Sequence, residues 1–357
     1  MNMHNPSSHC RIRRLAAAVA FSAFLPWAAH AKDAPEPVPL DASFKATEQA
    51  AKLFRVAEGK ALKDVKKVAV PLFSVEFVIA DSERAQTSGF ASAGRASASV
   101  YYKLMGVEEA DFQAITAALY QRFLTDLKDA GMEVMPFEQV AASPTYKKLA
   151  AGGTPSPIKS GSAITMAPAG MPIYGFNKVQ TGGTSSGASL FGALSQMGSG
   201  FGAVSAVMDT ITMQQELGAG VAVVEVQMKV NFVQLTNNNK GFLGRMSGTA
   251  SVDGKVQPSV GSAVFSVQSS TRGSLTLTNP LALDAAAFSE VRKKPTTGGD
   301  VAGAIAVGLL RLALNSKDSS SSDEMEAVAD PAKYRDIVGS GLGTVTQMFV
   351  QRLKAGE

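Results

Sequence analysis

Histidine, cysteine and tryptophan are scarce in this 357-residue chain, and their few occurrences share one address. The three histidines (His4, His9, His30), the single cysteine (Cys10) and the single tryptophan (Trp27) all fall within the first 31 residues. That segment reads as a secretory leader. Arg11, Arg13 and Arg14 form a positive n-region, Leu15 to Leu25 an apolar stretch, and Ala29-His30-Ala31 the small-x-small pattern of a cleavage site. The apolar stretch is too short to span a bilayer, which takes about 20 residues. General secretion, cleavage after Ala31 and a periplasmic address are therefore expected, with outer-membrane association as a further expectation.

Each scarcity excludes chemistry from the remaining chain. Without cysteine there is no disulfide, no thiolate nucleophile and no iron–sulfur cluster. Without histidine there is no Ser-His-Asp arrangement and no typical zinc or haem ligand set. Carboxylate, lysine, tyrosine or Ser–Lys chemistry and oxygen-ligated calcium survive the exclusion. Cys10 precedes the apolar stretch, so it is not a lipoprotein anchor. Removing the leader's three arginines leaves 31 basic residues against 30 acidic ones, so the basic character of the precursor gives no warrant for a nucleic-acid partner.

What is there reads as α/β (α+β): a mixed sheet with packed helices and two Gly-rich apolar insertions. Residues 32–64 form a linker and a helix over Ala42–Ala57, and 65–357 an α/β domain. Within it, 65–150 is a β–α–β half, 151–218 a Gly-rich insertion, 219–280 antiparallel strands and 281–357 C-terminal helices. Val68–Ile79 is a buried strand with Pro71 at a bulge or edge. Asp81–Ser99 is small and polar and reads as a loop, followed by a strand at Val100–Leu104. Phe112, Ile115, Leu119, Phe123 and Leu127 recur at helical spacing, predicting a helix over Glu108–Ala130 that Gly131 ends. Met132–Phe137 then returns as a strand.

Val224, Val226, Met228, Val230 and Phe232 alternate with Glu225, Gln227, Lys229 and Asn231, as in a half-buried strand. Arg245–Val256 and Ser262–Thr278 predict two more strands, and Lys317–Glu326 a polar loop. Asp330-Pro331 starts the last helix, over Ala332–Lys354. Leu190–Glu216 reads as a helix or helical hairpin, and Val301–Leu314 as a second apolar segment.

Four motifs invite chemistry and are weighed against plainer readings. Gly182-Gly-Thr-Ser-Ser-Gly187-Ala188-Ser189 has phosphate-loop glycine spacing but carries Ala188 where the motif needs lysine, so a glycine loop is expected. Ser156-Pro-Ile-Lys159 has acyl-enzyme spacing, yet Pro155 and Pro157 favour an extended loop. Asp318, Asp323, Glu324 and Glu326 match no calcium-loop spacing and read as a solvated acidic loop. Gly198-x-x-x-Gly202, Gly299-x-x-x-Gly303 and Gly339-x-x-x-Gly343 allow close helix approach, either inside one subunit or, alternatively, between subunits or at a membrane. No residue is nominated as catalytic, cofactor-binding or metal-ligating.

The order of elements, with Val65-Lys-Lys-Val-Ala-Val-Pro-Leu-Phe73 and Leu127-Lys-Asp-Ala-Gly131-Met-Glu-Val-Met-Pro-Phe-Glu138, is similar to the CsgG-like family of periplasmic and outer-membrane assembly proteins. It resembles, more loosely, the α/β domain at the start of TolB. The resemblance implies an α/β sandwich and an exported assembly role. The family's secretion channels carry a lipobox cysteine that this chain lacks, and their membrane hairpins find no residue-by-residue match. The expected function is therefore a non-enzymatic accessory protein of envelope or secretion assembly. It would bind other envelope proteins or itself through Leu190–Glu216 and Val301–Leu314. An oligomeric pore using the alternating strands and an exported carboxylate-dependent hydrolase are the alternatives.

Overall fold

The computed structural model describes residues 35–87, 96–174, 201–239, 249–294, 304–305, 309–314 and 320–356. Residues 1–34, the Gly182–Ser189 loop, the first part of Leu190–Glu216 with Gly198, the start of Arg245–Val256 and the Gly299–Gly303 motif lie outside them.

The described chain opens with β1 (Val38–Pro39), α1 (Ala46–Leu53) and β2 (Phe54–Ala57). The helix expected over Ala42–Ala57 is therefore shorter, because from Phe54 the backbone pairs with a later strand instead of coiling. Next come β3 (Lys67–Val78), β4 (Ala80–Gln86), β5 (Ser97–Met105), α2 (Glu109–Asp129) and β6 (Glu133–Val134). Two short helices, α3 (Phe137–Ala142) and α4 (Pro144–Gly152), lead to β7 (Ile158–Lys159), β8 (Ala163–Met166) and α5 (Phe201–Leu217). The second half runs β9 (Val221–Asn237), β10 (Ala250–Gln268), β11 (Arg272–Leu277), β12 (Leu281–Ala282) and β13 (Phe288–Lys293). It ends with β14 (Ala304–Ile305), β15 (Leu309–Leu314), β16 (Ser320–Ala329) and α6 (Pro331–Ala355).

Two mixed sheets result. In the larger, β3 runs parallel to β9, and β9 antiparallel to β10. The other side of β10 is met in turn by β15, β12 and β11. Pro71 falls at the register shift between Ala69 and Leu72, so its missing N–H interrupts the β3–β9 pairing at a bulge. The smaller sheet has the order β14-β13-β16-β5-β4. Returning from β3 through α2 to β6, which pairs parallel with Lys67 and Val68, gives the crossover that the β–α–β pattern predicts.

Helices α2 and α6 cover one face of the larger sheet. Phe77 stacks on Phe112 at 4.6 Å, Phe73 lies 5.7 Å from Phe123, and Phe123 lies 6.0 Å from Phe349. Each such ring, fully buried, contributes about 1.5–3 kcal/mol. The start of α2 is held by a capping box between Glu108 and Asp111, and Gly131, at φ 91, lets the chain leave the helix left-handed. Asp330 caps α6 by accepting from the backbone N–H groups of Ala332 and Lys333.

Several expectations are corrected. Asp81–Ser99 is not a loop throughout: β4 and β5 pair from Ala80–Lys103 to Gln86–Ser97. Its small polar side chains hide β4 and the start of β5, which pair with each other. Only Glu133–Val134 of Met132–Phe137 is strand. The break expected between Val256 and Ser262 is absent, because β10 runs through it by two register shifts against β9. The described residues of 281–329 are largely in strands rather than helices, and the end of the Lys317–Glu326 segment lies in β16, which pairs parallel with β5. Within Val301–Leu314, β14 joins one sheet and β15 the other.

Candidate functional site

The second face of the larger sheet is polar where the first is aromatic. One rung across β3, β9, β10 and β11 aligns Leu72, Glu225, Ser266 and Ser274. The next rung places Gln268 between Val223 and Arg272. The alternation along β9 thus sends Val224, Val226 and Met228 into the aromatic core and Glu225, Gln227 and Lys229 to this opposite face.

Over Glu225 lie α5 and Tyr174. The Glu225 carboxylate stands 3.6 Å from the Arg272 guanidinium. Tyr174 and Thr210 bring their hydroxyls toward the same carboxylate. Tyr146 meets Tyr174 edge-on, with ring centroids 6.2 Å apart. Tyr146 Oη, Tyr174 Oη, Arg272 Nη1 and Gln268 Oε1 are all buried without a hydrogen bond of good geometry. Four such atoms in one place is a high density, since buried polar groups are nearly always paired. Burial raises the pKa of Glu225 by more than Arg272 and the two hydroxyls lower it. Burial also pushes Tyr174 well above its usual range and Tyr146 to about 12.

A second polar pair follows two rungs along, where Lys229 approaches Glu76 at 3.6 Å. Asp81 is raised by burial, against a lowering by Lys229.

The second half of helix α5 is tied down by polar contacts as well as by buried Met213. Its Glu216 carboxylate closes the start of α4, accepting from Ser143 Oγ at 2.5 Å, Thr145 N at 3.0 Å and Thr145 Oγ1 at 2.7 Å. Asp209 pairs with Lys148 at 2.9 Å. Thr210 and Met213 are buried beneath the helix, while Met208 stands 58% exposed. Gly218 and Gly220, at φ 112 and 80, make the tight turn from α5 into β9. A cavity of about 540 Å³ opens there, lined by Lys63, Asp64, Gln215 and Ser270 among others.

The motifs singled out in the sequence do not converge on this cluster. Ser156 Oγ accepts from Ala167 N at 2.9 Å, and Lys159 pairs with Glu109 at 2.5 Å, so the two serve separate partners. Asp323, Glu324 and Glu326 each face a cation of β13 or the residue after it: Lys293, Lys294 and Arg292 at 2.5–2.7 Å. Asp318 lies outside the described residues. Gly343 packs within the chain: a Cβ there would come within 2.7 Å of the Arg122 guanidinium on α2, whereas Gly339 faces open space. Among the described residues no group of three or more acidic side chains is placed to hold a metal, and no helix is long and apolar enough to cross a membrane.

Glu225, Arg272 and Tyr174 were not singled out from the sequence. The alternation through Glu225 was visible, but nothing local says that its face is roofed. No family model, curated protein or solved structure matches the chain.

Proposed function

We propose that this chain is an exported, non-enzymatic accessory protein of bacterial envelope or secretion assembly, acting through protein contacts at α5. The observation that carries the reading is the seating of that helix. Glu216 and Asp209 anchor it to α4 and Thr210 and Met213 are buried, while Met208 is 58% exposed, the most exposed large hydrophobic side chain among the described residues. The similarity of element order to CsgG-like assembly proteins supports the same reading. Val226, Val230 and Phe265, on strands that a pore would use as membrane hairpins, are buried on the face that α2 and α6 cover, which favours contact over a pore. The protein would be periplasmic, its partners other envelope proteins or a second copy.

The test places a photo-crosslinking residue at position 208 in the exported protein and, as control, at exposed Lys128 on α2. A discrete adduct from position 208 alone is the expected result. No adduct at 208, or a large assembly that light scattering detects only in detergent, counts against the reading.

A further inference from the structure

A second surface lies on the opposite side of the fold, where α1 and the turn before it face α6. It is a groove of about 720 Å³. Its floor is apolar: Leu40, Phe44 and Ile337 are half-buried, and Leu283 is buried against Gly341. A Cβ on Gly341 would meet the Leu283 side chain at 2.4 Å, so glycine is what lets the floor lie this close to the α6 backbone.

The rim is acidic. Asp41, Asp284 and Asp336 line it, against one cation, Lys45, which is already paired with Glu48 at 3.0 Å. Asp41 and Asp284 use one carboxylate oxygen each on their own turns, toward Ser43 and Ala286. Asp336 makes no hydrogen bond or ion pair among the described residues. At the far end Gln351 presents a buried Oε1 that meets no donor. Unused acceptors around an apolar floor define the complement: an apolar ridge flanked by cationic donors.

We propose that this groove docks a partner segment that is basic and amphipathic, its apolar residues on Leu40, Phe44 and Ile337 and its Lys or Arg side chains at Asp336 and Asp284. A helix fits the site, because Asp336, Ser340, Thr344, Gln347 and Gln351 form a continuous stripe along α6 against which a second helix can lie. An anionic lipid surface is repelled by the same rim. The inference does not rest on the α5 reading.

The experiment uses the leaderless chain and two synthetic helical peptides of about 15 residues, both with a Leu/Ala face, one flanked by lysine and the other by glutamate. Fluorescence anisotropy is expected to show saturable binding of the lysine peptide alone, weakening as salt rises. Asp336→Lys, at an exposed and unpaired position, should weaken it about tenfold or more. Ser340→Trp, which fills the groove from its exposed wall, should weaken it likewise, both variants keeping the parent's circular dichroism and melting temperature. Equal binding of both peptides, no binding of either, binding indifferent to both substitutions, or sedimentation with phosphatidylglycerol vesicles in place of peptide binding would overturn the proposal.

Discussion

Phe265 on β10 and Phe349 on α6 lie face to face, 4.2 Å apart with an interplanar angle of 7°, and both are fully buried. Phe54 meets Phe265 edge to face, with ring centroids 5.8 Å apart. The three rings tie β2, the longest strand β10 and the last helix α6 into one contact. Phe349→Ala should destabilise by about 3–5 kcal/mol, the usual cost of an aromatic deleted from a packed core. In a double-mutant cycle with Phe265→Ala, urea titrations should show that the two costs do not add, because the second truncation enlarges a cavity already present.

Tyr102 and Gly254 set the approach of the two sheets. A Cβ on Gly254 would lie 2.6 Å from the Tyr102 hydroxyl, and that hydroxyl is buried with no hydrogen-bond partner. Tyr102→Phe should therefore be neutral or mildly stabilising, since it removes an unpaired polar atom and nothing else. Gly254→Ala should cost about 1–3 kcal/mol by overpacking, and less in the Tyr102→Phe background. Denaturant midpoints of the four proteins check both statements.

Asp111 serves two elements at once. It accepts from the Glu108 backbone N–H at 3.0 Å inside the capping box and from Arg335 on α6 at 2.8 Å. Asp111→Ala should cost about 1–2 kcal/mol, most of it the lost cap. Arg335→Ala should cost less, about 0–1 kcal/mol, because the guanidinium side chain is 47% exposed and its pair is screened by solvent. Thermal melts of the two variants at matched pH and salt separate the contributions.

The parts of the fold that were legible are those whose cause is local. The spacing from Phe112 to Leu127, the left-handed Gly131, the Asp330-Pro331 start and the alternation along β9 all carry their signal within a few residues, and each element stands where it was expected. Ser97–Met105 and Ser320–Ala329 were not fully legible, because serine-rich segments become strands here by pairing with each other across more than 200 residues. The Gln257–Gly261 stretch looked like a break because Pro258 and Gly261 are poor strand residues. The register shifts on either side of Val260 accommodate them. The cluster at Glu225 is hidden for a similar reason: Arg272, Tyr174 and Thr210 arrive from three separate parts of the chain, β11, the loop after β8 and α5.

Two of these carboxylates should respond to pH in opposite directions. The hydrogen bonds from Ser143 and Thr145 hold Glu216 below the usual carboxylate range, so folding favours its charged form. Its contribution is fully present above the unfolded-state pKa and is lost as pH falls through the lower folded value. Glu225 is raised by burial, so folding favours its neutral form. That contribution is present below the unfolded-state pKa and is lost as pH rises through the higher folded value. Urea midpoints measured from about pH 3 to pH 8 span the ordinary glutamate range on both sides. Glu225→Gln should flatten the decline on the alkaline side of that range and leave the acid limb in place. Glu216→Gln should flatten the acid limb and leave the alkaline side unchanged. If each substitution instead shifts the whole profile without changing its shape, neither group's ionisation is linked to folding and the assigned seating of α5 on these carboxylates fails.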